Sequence, residues 1–491
     1  MTSPLAGPDA DRTTCMVRLA GELGMKGRRT RLKFQRTLLR NIHDACVSHG
    51  LDCEIRTLWS RIFVTCENGS PVDALSRVFG ISSYSPIDAF VAADLETIVE
   101  TGVRLYADRV RGRTYAVRAR RSGTHPFRSM DVMQQLGAAL NAEATVDLTE
   151  PDIEVFVEIR DDEAYLFADR LPGAGGLPLG AESRAVALLS GGFDSPVAAW
   201  MLLRRGVALD YVFCNLGGDA YRRMVAEVGK EMADRWSYGT SPRLYVLDFG
   251  PVVEELRRVM RGVYLQVGLK RQMYRAAEAI AERRKADALV TGEAVGQVSS
   301  QTLANLRAID AVASRPVLRP LVGADKEEII ALSRRVGTHD MSARVREYCS
   351  IGDGRTATGA KAETLVREEE GLDPAVLAAA IEKAEVIDLR RFQLGSLVAS
   401  GLFVDDVPDG ALIVDMREDT TTDFPLSGAL RRTEDEFRDG FSDIDRSRPV
   451  VLVCPQGMVS AQVAERMQAA GYEAYSLRGG VRRLQTVAAG R

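Results

Sequence analysis

The sequence has no Cys-x-x-Cys pair, no low-complexity tract and no run of about eighteen apolar residues, and each absence removes a class of protein. The cysteines, seven in 491 residues at 15, 46, 53, 66, 214, 349 and 454, are odd in number and do not fall at zinc-ligand spacing. In a chain this long they are not needed as disulfide staples. They fit a reducing cytosol, with most thiols packed as small hydrophobes and one or two reactive. Without a long apolar run no membrane span is expected, and the polar stretch Met1–Arg12 does not form a secretory signal, so a cytoplasmic protein is expected. There is also no Gly-x4-Gly-Lys-Ser/Thr loop, which removes the Walker-type nucleotide proteins. What remains is an ordinary globular composition, 46% hydrophobic and 27% charged, in a chain long enough for three or four domains.

A net charge of −4 argues superficially against a nucleic-acid partner, but the distribution reverses that. Lys26, Arg28, Arg29, Arg31, Lys33, Arg36 and Arg40 stand against Glu22 alone, and a second arginine cluster runs from Arg109 to Arg128. Both clusters lie in the first third of the chain. Clustered cations displace counterions from a phosphate backbone, so this third is the candidate polyanion surface.

The first 170 residues alternate helix- and strand-like stretches in two small α+β units, with a hairpin expected at Asp161-Asp162. Leu171–Gly180 is rich in Gly and Pro and is expected to be an interdomain connector. From Arg184 the pattern becomes β, α, β, α, with near-continuous apolar strands that predict a buried parallel sheet. A charged helical stretch over 360–389 leads to a last αβ unit from about Gly401.

The most informative segment is Leu188-Leu189-Ser190-Gly191-Gly192-Phe193-Asp194-Ser195-Pro196, an apolar strand running into a glycine turn and a helix start. Gly191 and Gly192 let backbone approach a ligand closely. Their amides, the hydroxyls of Ser190 and Ser195, and the positive end of the following helix favour a phosphate. An acid inside an anion site needs a bridging cation, so Asp194 is expected to be a magnesium ligand or an aid to adenylyl transfer.

This loop resembles the signature of the ATP pyrophosphatases, which split ATP between its α and β phosphates and leave an adenylated substrate. Three further segments, Phe213–Gly218, Thr291–Gln301 with Asn305-Leu306, and Leu318–Leu321 with Asp325-Lys326, resemble one branch of them, the tRNA 4-thiouridine synthase (tRNA sulfurtransferase) family. The resemblance implies a multidomain α/β protein. Its parts are a ferredoxin-like domain (1–75), a THUMP RNA-binding domain (76–170), a doubly wound parallel-sheet adenylating domain (171–395) and a rhodanese-like domain (402–491). It further implies that Leu188, Leu189, Lys270, Gly292 and Gln301 line an ATP site, with Asp194 and Lys326 needed for adenylation. ATP and Mg2+ would be the cofactors, tRNA the substrate and a cysteine desulfurase the sulfur donor. A ThiS-type carrier protein is a further candidate acceptor, for thiamin thiazole.

Cys454 follows the apolar strand Val450–Val453 and precedes a helix, where backbone amides and the helix end stabilise a thiolate or persulfide. A rhodanese loop has this form, and Asp415-Met416-Arg417 resembles that fold's first-half motif. Met458 and Val459 stand where free-standing rhodaneses carry a cation, which argues against thiosulfate sulfurtransferase activity in isolation. The family uses a cysteine placed like Cys349 to attack the persulfide-bearing sulfur and release product. The remaining five cysteines are expected to be packing residues.

Overall fold

The computed structural model describes residues 12–58, 61–343, 356–393, 401–417, 424, 428–437, 440–455 and 459–481. They form two compact units, one built on residues 1–182 with 203–207 and 238–240, the other on the rest.

The first unit contains two sheets. In one, the spatial order is Leu171–Pro172, Ile81–Pro86, Thr13–Leu19, Arg61–Cys66 and Cys53–Leu58, all antiparallel. The helix Arg28–Ser48 covers it because Phe34, Leu38, Ile42 and Ala45 recur at helical spacing and are buried. Its opposite face leaves Arg28, Arg29, Arg31, Lys33, Arg36 and Arg40 exposed. The sheet reaches past residue 75, because Ile81–Pro86 pairs with Thr13–Leu19 and the start of the Gly/Pro-rich connector adds an edge strand. The second sheet runs Ala89–Ala92, Glu163–Phe167, Ile153–Arg160, Thr114–Ser122 and Thr145–Val146. The expected hairpin is present, with Asp161 at φ 47° making the turn.

Two cysteines depart from the packing role expected of them. Cys53 and Cys66 lie directly opposite on neighbouring antiparallel strands and are joined in a disulfide. Cys46 brings a third sulfur within 4.8 Å of theirs. Cys15 and Cys46 do behave as packing: burial pushes their thiols up to about 12 and about 11.

The second unit holds the parallel sheet, in the order Val317–Leu318, Ala288–Val290, Arg184–Leu188, Ala208–Asn215, Arg243–Asp248 and Glu385–Asp388. The first strand in sequence is central. The chain winds outward through Ala208–Asn215 and Arg243–Asp248, then crosses back to Ala288–Val290 on the other side. A crevice therefore opens at the carboxyl ends of Arg184–Leu188 and Ala288–Val290, where such sheets bind ligands. The charged stretch expected to be helical is two helices, Ala362–Glu369 and Pro374–Glu382, followed by the antiparallel edge strand Glu385–Asp388. Gly371 to Pro374 ends the first helix, and the Asp373 carboxylate caps the second.

A separate all-parallel sheet ends the chain, in the order Phe403–Val404, Ala474–Leu477, Val450–Val453, Leu412–Asp415 and Leu430–Arg431. No helix among the described residues is long and apolar enough to cross a membrane.

Candidate active site

Strand Arg184–Leu188 delivers the loop Ser190–Phe193 to the crevice, and the helix Asp194–Leu203 begins immediately after it. Gly191 takes φ +77°, which a side chain would strain. The loop is tied down from several sides. Its Ser190 amide donates to Ser195 Oγ at 3.0 Å, the Tyr221 hydroxyl donates to the Ser190 carbonyl at 2.8 Å, and Ser342 Oγ donates to the Gly192 carbonyl at 3.2 Å. Gly292 is required by packing. A Cβ there would lie 2.7 Å from both the Asp194 carbonyl carbon and the Ser195 nitrogen, so the close approach it permits is to the loop's own backbone.

Around the loop is a cavity of about 370 Å³ lined by Leu188, Leu189, Ser190, Asp194, Ser195, Lys270, Gly292 and Gln301, among others. Eight of the sequence-predicted residues thus converge on one space. Gly191 and Gly192 form the turn beside it. The Leu189 amide is already engaged, donating to the Val212 carbonyl at 2.9 Å, and so is not free for a base. Cys214, expected to be packing, is buried but also lines the cavity.

Lys326 reaches the same loop from elsewhere. Asp325 caps the helix Lys326–Val336 through a reciprocal capping box with Glu328, which fixes Lys326 as its first residue. From there Lys326 Nζ lies 3.1 Å from Asp194 Oδ1 and 5.4 Å from the Phe193 ring centroid. Gln297 Nε2 donates to the other Asp194 oxygen at 2.9 Å. Both carboxylate oxygens therefore have donors, and a metal at Asp194 would exchange for one of them.

Sequence reasoning missed Glu293 at the cavity wall. It is almost fully buried, its Oε1 accepts from Lys270 Nζ at 3.0 Å, and its Oε2 accepts from the hydroxyls of Tyr274 (2.5 Å) and Thr291 (3.1 Å) and from Arg319 (3.1 Å). Burial alone would raise its carboxyl, but Lys270, Tyr274 and Arg319 outweigh burial and hold it down at about 2. Lys270 is thereby set at the cavity wall as a half-buried cation. The signal that could have found Glu293 is its place directly after a buried strand and Gly292.

These features suit a nucleotide triphosphate. Apolar walls at Leu188, Val212 and Phe213 offer a surface for a base. Lys270 and Lys326 supply positive charge beside a glycine turn, and Gln301 Oε1 is buried with no partner among the described residues.

In the C-terminal sheet, Cys454 ends strand Val450–Val453 and is 2% exposed. Its Sγ accepts from the Ser460 amide at 3.5 Å and the Ser460 hydroxyl at 3.2 Å, at the start of the helix Val459–Ala469. Asp415 and Arg417 form a buried ion pair at 2.9 Å on the neighbouring strand. Cys349 and Met458 lie outside the described residues.

Fold and site together define the class: an α/β protein with a glycine turn and a nucleotide-sized cavity at the switch point of a parallel sheet, in a chain that also carries two small α+β sheets. Comparison with known proteins narrows it. Residues 180–373 match the family described as thiamine biosynthesis protein (ThiI), residues 92–169 the THUMP domain, and residues 14–85 the ThiI ferredoxin-like domain. A tRNA sulfurtransferase of Pyrobaculum aerophilum is 38% identical over 93% of this chain and 95% of its own. One from Escherichia coli O157:H7 is 35% identical over 93% of this chain and 98% of its own. The crystal structure of a 4-thiouridine synthetase–RNA complex with bound ATP superposes with a TM-score of 0.69 and 31% identity, covering 76% of this chain and 99% of that one. The chain belongs to the tRNA sulfurtransferase family.

Proposed function

We propose that this protein uses ATP to activate a uridine of tRNA, the one at position eight, and replaces its 4-oxygen with sulfur carried on Cys454. The observation that carries this is the convergence of Ser190, Asp194, Lys270, Gly292 and Gln301 on one cavity, with Lys326 on Asp194. That convergence occurs in a chain similar to a solved 4-thiouridine synthetase–RNA complex with bound ATP.

In this reading the glycine turn and Lys270 hold the phosphates, and Lys326 offsets charge as the uracil oxygen bonds to the α-phosphorus and pyrophosphate leaves. Asp194 would hold the magnesium that accompanies ATP, giving up one of its present donors to do so. The exposed cations of Arg28–Ser48 meet the tRNA backbone, since an A-form helix hides its base edges from side chains. A cysteine desulfurase of the cytoplasm loads the persulfide. Its terminal sulfur attacks C4 and displaces AMP, leaving the nucleoside joined to Cys454 through a disulfide. The Cys349 thiolate then attacks the Cys454 sulfur, 4-thiouridine leaves, and an external thiol reduces the Cys349–Cys454 disulfide. The thiamine description of the matching family supports a second outlet for the same persulfide, a ThiS-type carrier.

The test combines unmodified tRNA, ATP, magnesium, desulfurase, cysteine and reductant, and reads thiouridine by near-ultraviolet absorbance together with AMP. Thiouridine from the wild type and none from Cys454→Ala is the expected result. A folded, ATP-binding protein that yields neither product would overturn the proposal.

A further inference from the structure

The segment Phe213–Gly218 and the helix it leads into have a use that the phosphate loop does not exhaust. The helix Gly218–Trp236 begins with no side chain of its own capping its free amides. Those amides are taken by a residue 246 positions later: Glu465 Oε1 accepts from the Asp219 amide at 2.6 Å, and Oε2 from the Ala220 amide at 3.1 Å. A carboxylate across two amides at a helix N-terminus combines charge-assisted hydrogen bonds with the favourable end of the dipole.

Three further features support the contact. Gly218 takes φ +72°, a conformation that a side chain strains, and it leaves the Glu465 carboxylate room to approach the helix start. Ala220 is buried within the apolar core of the C-terminal domain, alongside Leu402, Ala461 and Ala464. One turn on, the Arg223 guanidinium lies over the Phe403 ring at 5.5 Å.

The same turn also faces the other way. Tyr221, adjacent to Ala220, donates its hydroxyl to the Ser190 carbonyl and lines the nucleotide cavity. Glu465 in turn sits on the helix whose first residues, at Ser460, hold the Cys454 sulfur. One helical turn thus touches the phosphate loop through Tyr221 and the cysteine-bearing domain through its free amides.

We infer that the first turn of Gly218–Trp236 is the docking surface for the cysteine-bearing domain, and that Glu465 is a positioning residue governing delivery of sulfur from Cys454 to the activated uridine. This rests on the proposed sulfur relay. Glu465 touches neither ATP nor the sulfur. It acts by holding two domains in register, so adenylation and persulfide loading are each independent of it.

The experiment uses the full chain carrying Glu465→Gln and, separately, Glu465→Ala, with three readouts: single-turnover pyrophosphate release, persulfide on Cys454 after desulfurase treatment, and thiouridine formation. Thiouridine is measured with the loaded persulfide and again with inorganic sulfide. Sulfide attacks the adenylated C4 from solution, expelling AMP without Cys454. The expected result is a thiouridine rate from persulfide about tenfold lower, in line with loss of charged hydrogen bonds. Pyrophosphate release, persulfide loading and the sulfide-driven rate should match wild type. Wild-type persulfide-driven rates in both Glu465 variants overturn the proposal, as does an equal fall with sulfide, which would mark general damage. A Cys454→Ser protein that still forms thiouridine from the desulfurase overturns the relay itself, and the docking role with it.

Discussion

At the end of strand Arg184–Leu188 the ligand space is flanked by charge: Lys270 and Arg319 bond to Glu293 and Lys326 to Asp194, each cation within hydrogen-bond distance of its own carboxylate partner. At the end of strand Val450–Val453 the sulfur of Cys454 is met by an amide and a hydroxyl of Ser460, while Asp415 and Arg417 nearby neutralise each other. Both are strand ends in parallel sheets followed by helices, and under the proposed function they are equipped differently because their cargoes differ. A triphosphate losing pyrophosphate develops several charges at once and needs cations fixed beforehand. A persulfide is one soft anion, and neutral donors suffice to hold it without making it too stable to leave.

The sharpest way to break that comparison is to cross the two sites. Asp194→Ala and Lys326→Ala should each lower pyrophosphate release by about 10²–10³-fold, while persulfide still loads on Cys454. Cys454→Ser should do the reverse, keeping single-turnover pyrophosphate release and losing thiouridine. If Lys326→Ala also blocked persulfide loading, the two strand ends would not be separate half-sites.

Next in size is Glu293→Gln, which leaves Lys270 and Arg319 around a neutral amide. Breaking a buried ion pair costs about 3 kcal/mol, read as the shift in a urea or thermal unfolding transition. The pH dependence follows from its depressed carboxyl. Folded Glu293 titrates at about 2, below its ordinary 4.5. Its contribution is therefore complete above the unfolded value and lost as pH falls from there through the folded one. Wild-type Tm should drop more steeply than that of Glu293→Gln across this window. Parallel curves would remove the assigned electrostatic role.

Gly292→Ala is smaller. Its Cβ would press on the Asp194–Ser195 peptide, and overpacking of this kind costs about 1–3 kcal/mol. ATP affinity should fall about tenfold, with Cys454 chemistry untouched.

What was legible in the sequence was contiguous. Leu188–Ser195 and Val450–Cys454 are each a strand end and the residues directly after it, so the chemistry can be read from adjacent letters. Glu293 was not, because its partners Lys270 and Arg319 come from other elements and only the folded sheet brings them together. Glu465 is further still, 246 and 245 residues from the two amides it caps. The Cys53–Cys66 pairing was hidden for another reason. Cys53–Leu58 is an edge strand with only half-buried and exposed residues, so neither the strand nor its register stands out. The strand Glu385–Asp388 was masked by the helical composition around it, and Ile81–Pro86, with three serines and a proline against two apolar positions, carries little strand signal. Leu188 and Leu189 line the cavity, but that the Leu189 amide is used within the sheet depends on the neighbour at Val212.

A difference between unpaired and paired charge separates the two basic clusters, and it yields the smallest expected effect. In the second cluster Arg109, Arg111 and Arg118 pair with Asp169, Glu143 and Glu154. In the first, the exposed cations along Arg28–Ser48 line a shallow groove at Arg29, Lys33, Arg36 and Arg40, and none has an ion pair with a described residue. A paired arginine offers a phosphate little net charge, whereas an unpaired one releases a counterion when it binds. Arg36→Ala should therefore weaken tRNA binding and reduce the slope of log affinity against log salt by about 0.7–0.9. Arg118→Ala should leave the slope nearly unchanged. Measured by filter binding across a salt series, equal slopes for the two variants would place the RNA face on both clusters alike, and a change confined to Arg118→Ala would move it to the second.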